Sequence, residues 1–206
     1  ELGVKNFVFS SSATVYGNPA KMPIDESFST SEALSPYAES KVMIETILKA
    51  LGVSRNNLNV VSLRYFNPAG AHPSGLIGEA SRHRVTNLIP VLSKIAVGAQ
   101  SEFVIYGDDY DTPDGTCIRD YVHVVDLAKA HVSALEKIES LNGWRAFNIG
   151  TGEGHSVKDV LQTYELVVGR ALPYRVVQRR PGDAERLFTD PKLANKELEW
   201  RAPKTL

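Results

Sequence analysis

Tyr37 and Lys41 stand four positions apart in the run Tyr-Ala-Glu-Ser-Lys, and a phenol beside an ammonium has an evident chemical use. On a helix that spacing sets both side chains on one face. A free phenol titrates near pH 10, too high for a base at neutral pH. A nearby cation favours the phenolate, and a drop of about three pH units corresponds to roughly 4 kcal/mol. Lys41 and a positively charged nicotinamide can supply that together, so that Tyr37 removes a hydroxyl proton as hydride leaves the same carbon.

Alone, such a pair is common on surface helices, and the setting gives it weight. Ser10, Ser11 and Ser12 end the apolar run Phe7-Val8-Phe9, so a hydroxyl can be presented beside the phenol. Such a serine can hydrogen-bond a substrate oxygen. The plain alternative is a polar strand end capped by its own hydroxyls.

The elements around these residues alternate. Phe7–Ser10 reads as a buried parallel strand, with its serines at the carboxyl end where open α/β sheets bind ligands. After a polar loop from Asn18 to Pro36, Val42, Ile44, Ile47, Leu48 and Leu51 recur at helical spacing, with Gly52 as a stop. Asn59–Phe66 is the next strand, completing a βαβ unit. Further on come a helix over Asn87–Val97, a strand at Phe103–Tyr106 and a helix over Val125–Ile138. A strand at Ala146–Gly150, a helix over Val157–Val168 and a strand at Tyr174–Val177 follow. Gly150-Thr151-Gly152-Glu153-Gly154 lacks the G-x-G-x-x-G spacing and reads as an ordinary strand-to-helix loop.

A net charge of −1 over 206 residues offers no general attraction for nucleic acid or an anionic membrane. The sequence has no apolar run of the roughly 18–20 residues that a bilayer needs, nor a signal-like opening. One cysteine, Cys117, and five histidines form no metal-ligand spacing. The single thiol fits a reducing compartment, and a cytoplasmic location is expected.

Ser10-Ser11-Ser12-Ala13-Thr14-Val15-Tyr16-Gly17 with Ser35-Pro36-Tyr37-Ala38-Glu39-Ser40-Lys41 resembles the extended short-chain dehydrogenase/reductases. Arg64-Tyr65-Phe66-Asn67-Pro68-Ala69-Gly70 and the run Asp114 to Val124 narrow the resemblance to the UDP-glucose 4-epimerase family, from Lys5 almost to Leu206. The resemblance implies an α/β chain comprising the carboxyl-terminal part of a Rossmann-like parallel-sheet domain and a smaller mixed α/β substrate domain. Residues 1–67, rejoined by 119–150, fall to the first; 68–118 and 151–206 fall to the second. It implies Tyr37 as base, Lys41 tuning it, and Ser12 on the reacting oxygen. Ser10, Ser11, Ser12, Tyr37, Lys41, Tyr65 and Phe66 face the cofactor, a tightly held NAD. Hydride passes from C4 to NAD, the 4-keto sugar rotates, and hydride returns to the other face.

The same resemblance assigns the nucleotide sugar, UDP-glucose or UDP-galactose, to a second set. Arg119 and Arg180 meet the diphosphate, and Asn67, Asn87 and Leu88 the sugar nucleotide. Val104 and Tyr106 meet uracil, Asp183 a ribose, and Leu187 the space beside the hexose C2 group. Left to themselves these residues have plainer readings: Arg119 paired with Asp120 or Asp114, Arg180 solvated beside Arg179, Tyr106 in the core. A homodimer through helices including the one that starts at Tyr37 is also implied.

Two departures stand out. Thr86 replaces the first of two adjacent asparagines, after a basic loop, and Leu187 is intermediate in size, which leaves room for some UDP-N-acetylhexosamine. A dehydratase or decarboxylase of the same fold is the nearest rival, but a dehydratase typically carries Asp-Glu after Thr14, where Val15-Tyr16 stands. A non-catalytic binding module is the other. The chain reads as a fragment lacking the dinucleotide loop, and by itself it is expected to hold NAD poorly and to turn over no sugar.

Overall fold

A computed structural model of the protein describes residues 3–30, 33–54, 57–79 and 87–206. The basic stretch 82–86, with Thr86, lies outside them. The first half of the chain runs β1 (Asn6–Ser12), a 3-10 turn (Ala13–Tyr16), α1 (Pro36–Ser54), β2 (Asn59–Tyr65), β3 (Asn67–Ala69), α2 (Leu88–Ala96) and β4 (Phe103–Tyr106). Then follow β5 (Ile118–Arg119), β6 (Tyr121–His123), α3 (Val124–Leu141), β7 (Trp144–Ile149), β8 (His155–Ser156), α4 (Val157–Val168), β9 (Tyr174–Val177), β10 (Arg186–Leu187) and α5 (Lys192–Glu197).

The main sheet is parallel in the order β1-β2-β7, with Ser12 level with Tyr65 and Tyr65 level with Ile149. β2 is buried through its length because both of its faces are covered. Val61 and Leu63 pack with Phe147 and Ile149 against Ala130, Ala134 and Ile138 of α3, and Trp200 closes that core. The alternate residues, Ser62 and Arg64, face the other way, where Arg64 meets Glu45 of α1. A second core joins α2, β4 and α4 through Leu92, Ile95, Ile105 and Leu161. β4 pairs in parallel with β9, and β5 lies between β10 and β8.

Helix α1 departs from its sequence pattern. Its buried residues are Ala38, Glu45 and Gly52, while Ile44 and Ile47 are 38% and 59% exposed. The apolar stripe is therefore split, with Ile44 and Ile47 outward and Val42, Leu48 and Leu51 half-buried, because the sheet face beneath α1 carries Ser11, Ser62 and Arg64. Nor does Gly52 stop the helix, which runs on to Ser54. A side chain at 52 would put a Cβ 2.9 Å from the Trp144 amide nitrogen, so close approach, and not termination, requires glycine here. The two-residue strands β5, β8 and β10, and β3 in an expected loop, carry no periodicity that a sequence pattern could register.

Candidate active site

Ser35 begins α1 by accepting a hydrogen bond from the Ala38 amide at 3.2 Å, and Pro36 at the first helical position needs no partner for its nitrogen. The second residue, Tyr37, is thus held at the helix start, beside the carboxyl ends of β1 and β2. It is 55% exposed. One turn on, the Lys41 Nζ lies 5.5 Å from the Tyr37 ring centre and 5.0 Å from that of Phe9. It donates to the Ser10 carbonyl at 2.8 Å, which ties the cation to the strand end. The lysine is thereby aimed at the phenol by the backbone of β1.

The three serines separate by strand alternation. Ser12 caps the 3-10 turn, its Oγ accepting from the Thr14 amide at 3.3 Å and the Thr14 hydroxyl at 3.0 Å. Both bonds use the oxygen, so the Ser12 proton is left to donate elsewhere. Ser10 shares that side, its Oγ 2.6 Å from the Tyr65 hydroxyl oxygen. Ser11 faces α1 instead, 1% exposed, and donates to Glu45 at 2.5 Å. The expected role of Ser11 toward a cofactor is therefore not open to its side chain.

Tyr65 also hydrogen-bonds the Nε2 of His131, whose Nδ1 lies 2.9 Å from the Leu127 carbonyl. A carbonyl only accepts, so Nδ1 carries the proton in the neutral ring and Nε2 is the acceptor. Burial pushes the Tyr65 phenol up, opposed by the Ser10 bond and reinforced by the nearby Tyr37 phenol. Tyr65 is thus held in its neutral form. Phe66, next along, packs with Ala13, Val15, Tyr16, Ile24 and Leu187 in a third core. Its side chain is core, so any contact with a cofactor would fall to its backbone. Leu187 lies in the same cluster, 7% exposed.

The second set gathers around β4. Phe103 and Ile105 are buried, so Val104 and Tyr106 share the outward face. Tyr106 is 38% exposed and not core. The Arg180 guanidinium lies 5.0 Å from its ring centre and forks onto Asp183, with Nε at 3.0 Å and Nη2 at 3.1 Å. Arg180 is thus paired, while its neighbour Arg179 binds Asp109 and stacks on Tyr110. Arg119 has no carboxylate partner among the described residues; its Nη1 donates to the Ile118 carbonyl at 2.8 Å. Asp120, offered above as its partner, is buried and accepts from the Thr151 and Gly152 amides at 2.8 and 3.0 Å. A Cβ at Gly150 would fall 2.5 Å from that carboxylate, which explains part of the glycine cluster.

Asn67 opens β3, its amide donating to the Asp120 carbonyl at 2.9 Å. Asn87 precedes α2 in extended conformation and makes no side-chain cap bond, and Leu88 follows at the edge of the second core. Among the described residues no cluster of three or more His, Cys, Asp or Glu could hold a metal, and no helix is long and apolar enough to cross a membrane. Sequence reasoning missed the buried set Tyr16, Glu45, Arg64 and Asn148. The available signal was a charge on each of two segments that otherwise read as buried.

Exposed Tyr37, tethered Lys41 and Ser12 lie at the carboxyl end of the parallel sheet of a Rossmann-like fold. The NAD dependent epimerase/dehydratase family model matches residues 1–150, and the chain belongs to that family. It is 49% identical over 200 residues to the human UDP-glucose 4-epimerase, covering 97% of this chain and 58% of the relative. The Bacillus subtilis enzyme of the same name is 50% identical over 204 residues, 99% of this chain and 60% of the relative. Among solved structures, the Bifidobacterium longum UDP-glucose 4-epimerase in complex with NAD+ and UDP superposes with a TM-score of 0.94 at 48% identity. That match covers 98% of this chain and 60% of the other. The chain thus spans about three-fifths of the length of the relatives it matches.

Proposed function

We propose that the protein from which this chain comes interconverts UDP-glucose and UDP-galactose at C4. The observation that carries this is the Ser12–Tyr37–Lys41 arrangement, together with close similarity to epimerases along almost the whole chain. Tyr37 takes the 4-hydroxyl proton, and Ser12 donates its free proton to the same oxygen. Lys41, held by the Ser10 carbonyl, stabilises the phenolate by charge. Lys41 and Tyr65 would hold NAD at this end of the sheet, and the cofactor would there supply a reversible hydride acceptor. The 4-keto sugar turns over between the two proton transfers, and Tyr37 returns its proton to the oxygen, so no external acid or reductant is needed.

Arg119 and Arg180 would meet the diphosphate, with Asn67, Asn87 and Leu88 along the nucleotide sugar, Val104 and Tyr106 on the uracil, and Asp183 on a ribose. That last contact requires Asp183 to share its carboxylate with Arg180. Leu187 limits the room beside C2. Residues 1–67 with 119–150 would form the NAD-binding domain and 68–118 with 151–206 the substrate domain; the second core, of α2, β4 and α4, supports the latter, although Ala194, Leu198 and Trp200 pack in the first core. A cytoplasmic location accords with a lone buried thiol. The exposed Met43, Ile44 and Ile47 of α1 support a homodimer.

One experiment tests the whole reading. The chain extended by the residues its relatives carry ahead of the match is given UDP-glucose and NAD. The expected product has unchanged mass and inverted C4, and Tyr37→Phe lowers kcat by about 10²–10⁴-fold. The 206-residue chain alone is expected to bind NAD more weakly than about micromolar and to turn over nothing. A product 18 mass units lighter would assign the protein to the dehydratases.

A further inference from the structure

Glu45 lies eight residues beyond Tyr37 and four beyond Lys41, so the three share one face of α1, with Glu45 about 12 Å down the axis from the phenol. It is 5% exposed and holds Arg64, 3% exposed, through both oxygens. Arg64 Nε lies 3.0 and 3.2 Å from the two, and Nη2 lies 2.6 Å from Oε2. Ser11 adds its 2.5 Å bond to Oε1.

The arginine is itself fixed: its Nη1 donates to the Tyr16 hydroxyl at 2.7 Å, which donates to the Asn148 Oδ1 at 2.7 Å. Asn148 Nδ2 then donates to the Ile24 carbonyl at 3.1 Å. One connected set therefore joins β1, the turn bearing Thr14, α1, β2 and β7. The other fully inward residues of α1, Ala38 and Gly52, have no side chain large enough to set the helix's rotation. Buried ion pairs add little net stability but impose a geometry.

We propose that Glu45 is a positioning residue for the Tyr37–Lys41 pair, setting the rotation of α1 against the strand end that bears Ser10 and Ser12 through its fork on Arg64 and its bond from Ser11. Only the kinetic arm of the test rests on the function proposed above. Glu45→Gln and Arg64→Met, each stranding a buried polar partner, lower the denaturation midpoint. The double variant Glu45→Met/Arg64→Met removes both charges and restores it.

In that double variant, amide exchange over residues 38–44 of the chain stays about tenfold faster than in the wild type. In the extended, NAD-loaded protein its kcat stays about 100-fold down, with KM for UDP-glucose within about threefold. Wild-type exchange and kcat in the double variant would overturn the proposal and leave the pair as a satisfied buried charge. If the double variant stays destabilised, Arg64→Lys, which keeps the charge and loses the fork, decides: unchanged exchange and kcat again overturn it. A wild-type protein that inverts no C4 rejects the function, and the exchange data then judge the positioning alone.

Discussion

Arg119 and Arg180 have the same charge but different surroundings, and that difference separates binding from folding. Arg180 balances Asp183 and lies on Tyr106, so its removal strands a carboxylate. Among the described residues Arg119 meets no carboxylate, and its guanidinium donates to the Ile118 carbonyl. We predict that Arg119→Met lowers UDP affinity by about 1.5–3 kcal/mol, the worth of a charge-assisted hydrogen bond, or about 10- to 100-fold in Kd. The denaturation midpoint should barely move. Calorimetric titration with UDP and urea unfolding check both halves, and a large stability loss with unchanged affinity would remove Arg119 from the site. Tyr37, Lys41 and Ser12 were legible as residue types at a spacing. The two bonds that Ser12 accepts, and hence its free proton, were not, because Thr14 folds back only in the 3-10 turn.

At the scale of elements, the anchoring of α4 shows how far local pattern reaches. The periodicity of Val157–Val168 predicts the helix correctly, and Ser156 with Asp159 forms a capping box at its start. What holds that start in place is Asp114, more than forty residues earlier, which accepts from the Ser156 hydroxyl and from the Thr116 amide and hydroxyl, both at 2.8 Å. Burial pushes the Asp114 carboxyl up, but these bonds and Lys158 outweigh it and hold it below its ordinary value. A lowered carboxyl contributes stability above its unfolded value and loses it as pH falls through the folded one. Asp114→Asn should therefore cost about 1–2 kcal/mol at pH 7, and the gap from wild type should close below about pH 4. Urea unfolding of both proteins at pH 7 and pH 3 reads this. A gap independent of pH would mean that the loss is one of shape, not of charge.

For the whole molecule, the outward face of α1 is the feature with the widest consequence. Met43, Ile47 and Val53 on α1 are each more than half exposed. Apolar side chains grouped on helices in this way mark an association surface. We predict a dimer in solution, and Ile47→Glu, which sets a charge in that face, should shift the mass to that of a monomer without lowering the helix content. Sedimentation equilibrium with circular dichroism measures both. A wild-type monomer across the micromolar range would dismiss the reading.

Spacing and composition alone determined the alternation of strands and helices, the parallel sheet, and the Tyr37–Lys41 pair, since each depends on contacts within a turn or along a strand. Tertiary structure decided which way α1 faces, that the side chains of Ser11 and Phe66 are buried, and that Gly52 serves contact and not termination. The reason is the same in each case. The deciding partner, whether Arg64, Trp144 or Leu187, is distant in the chain, and a residue's periodicity shows which neighbours share its face but not what that face will meet.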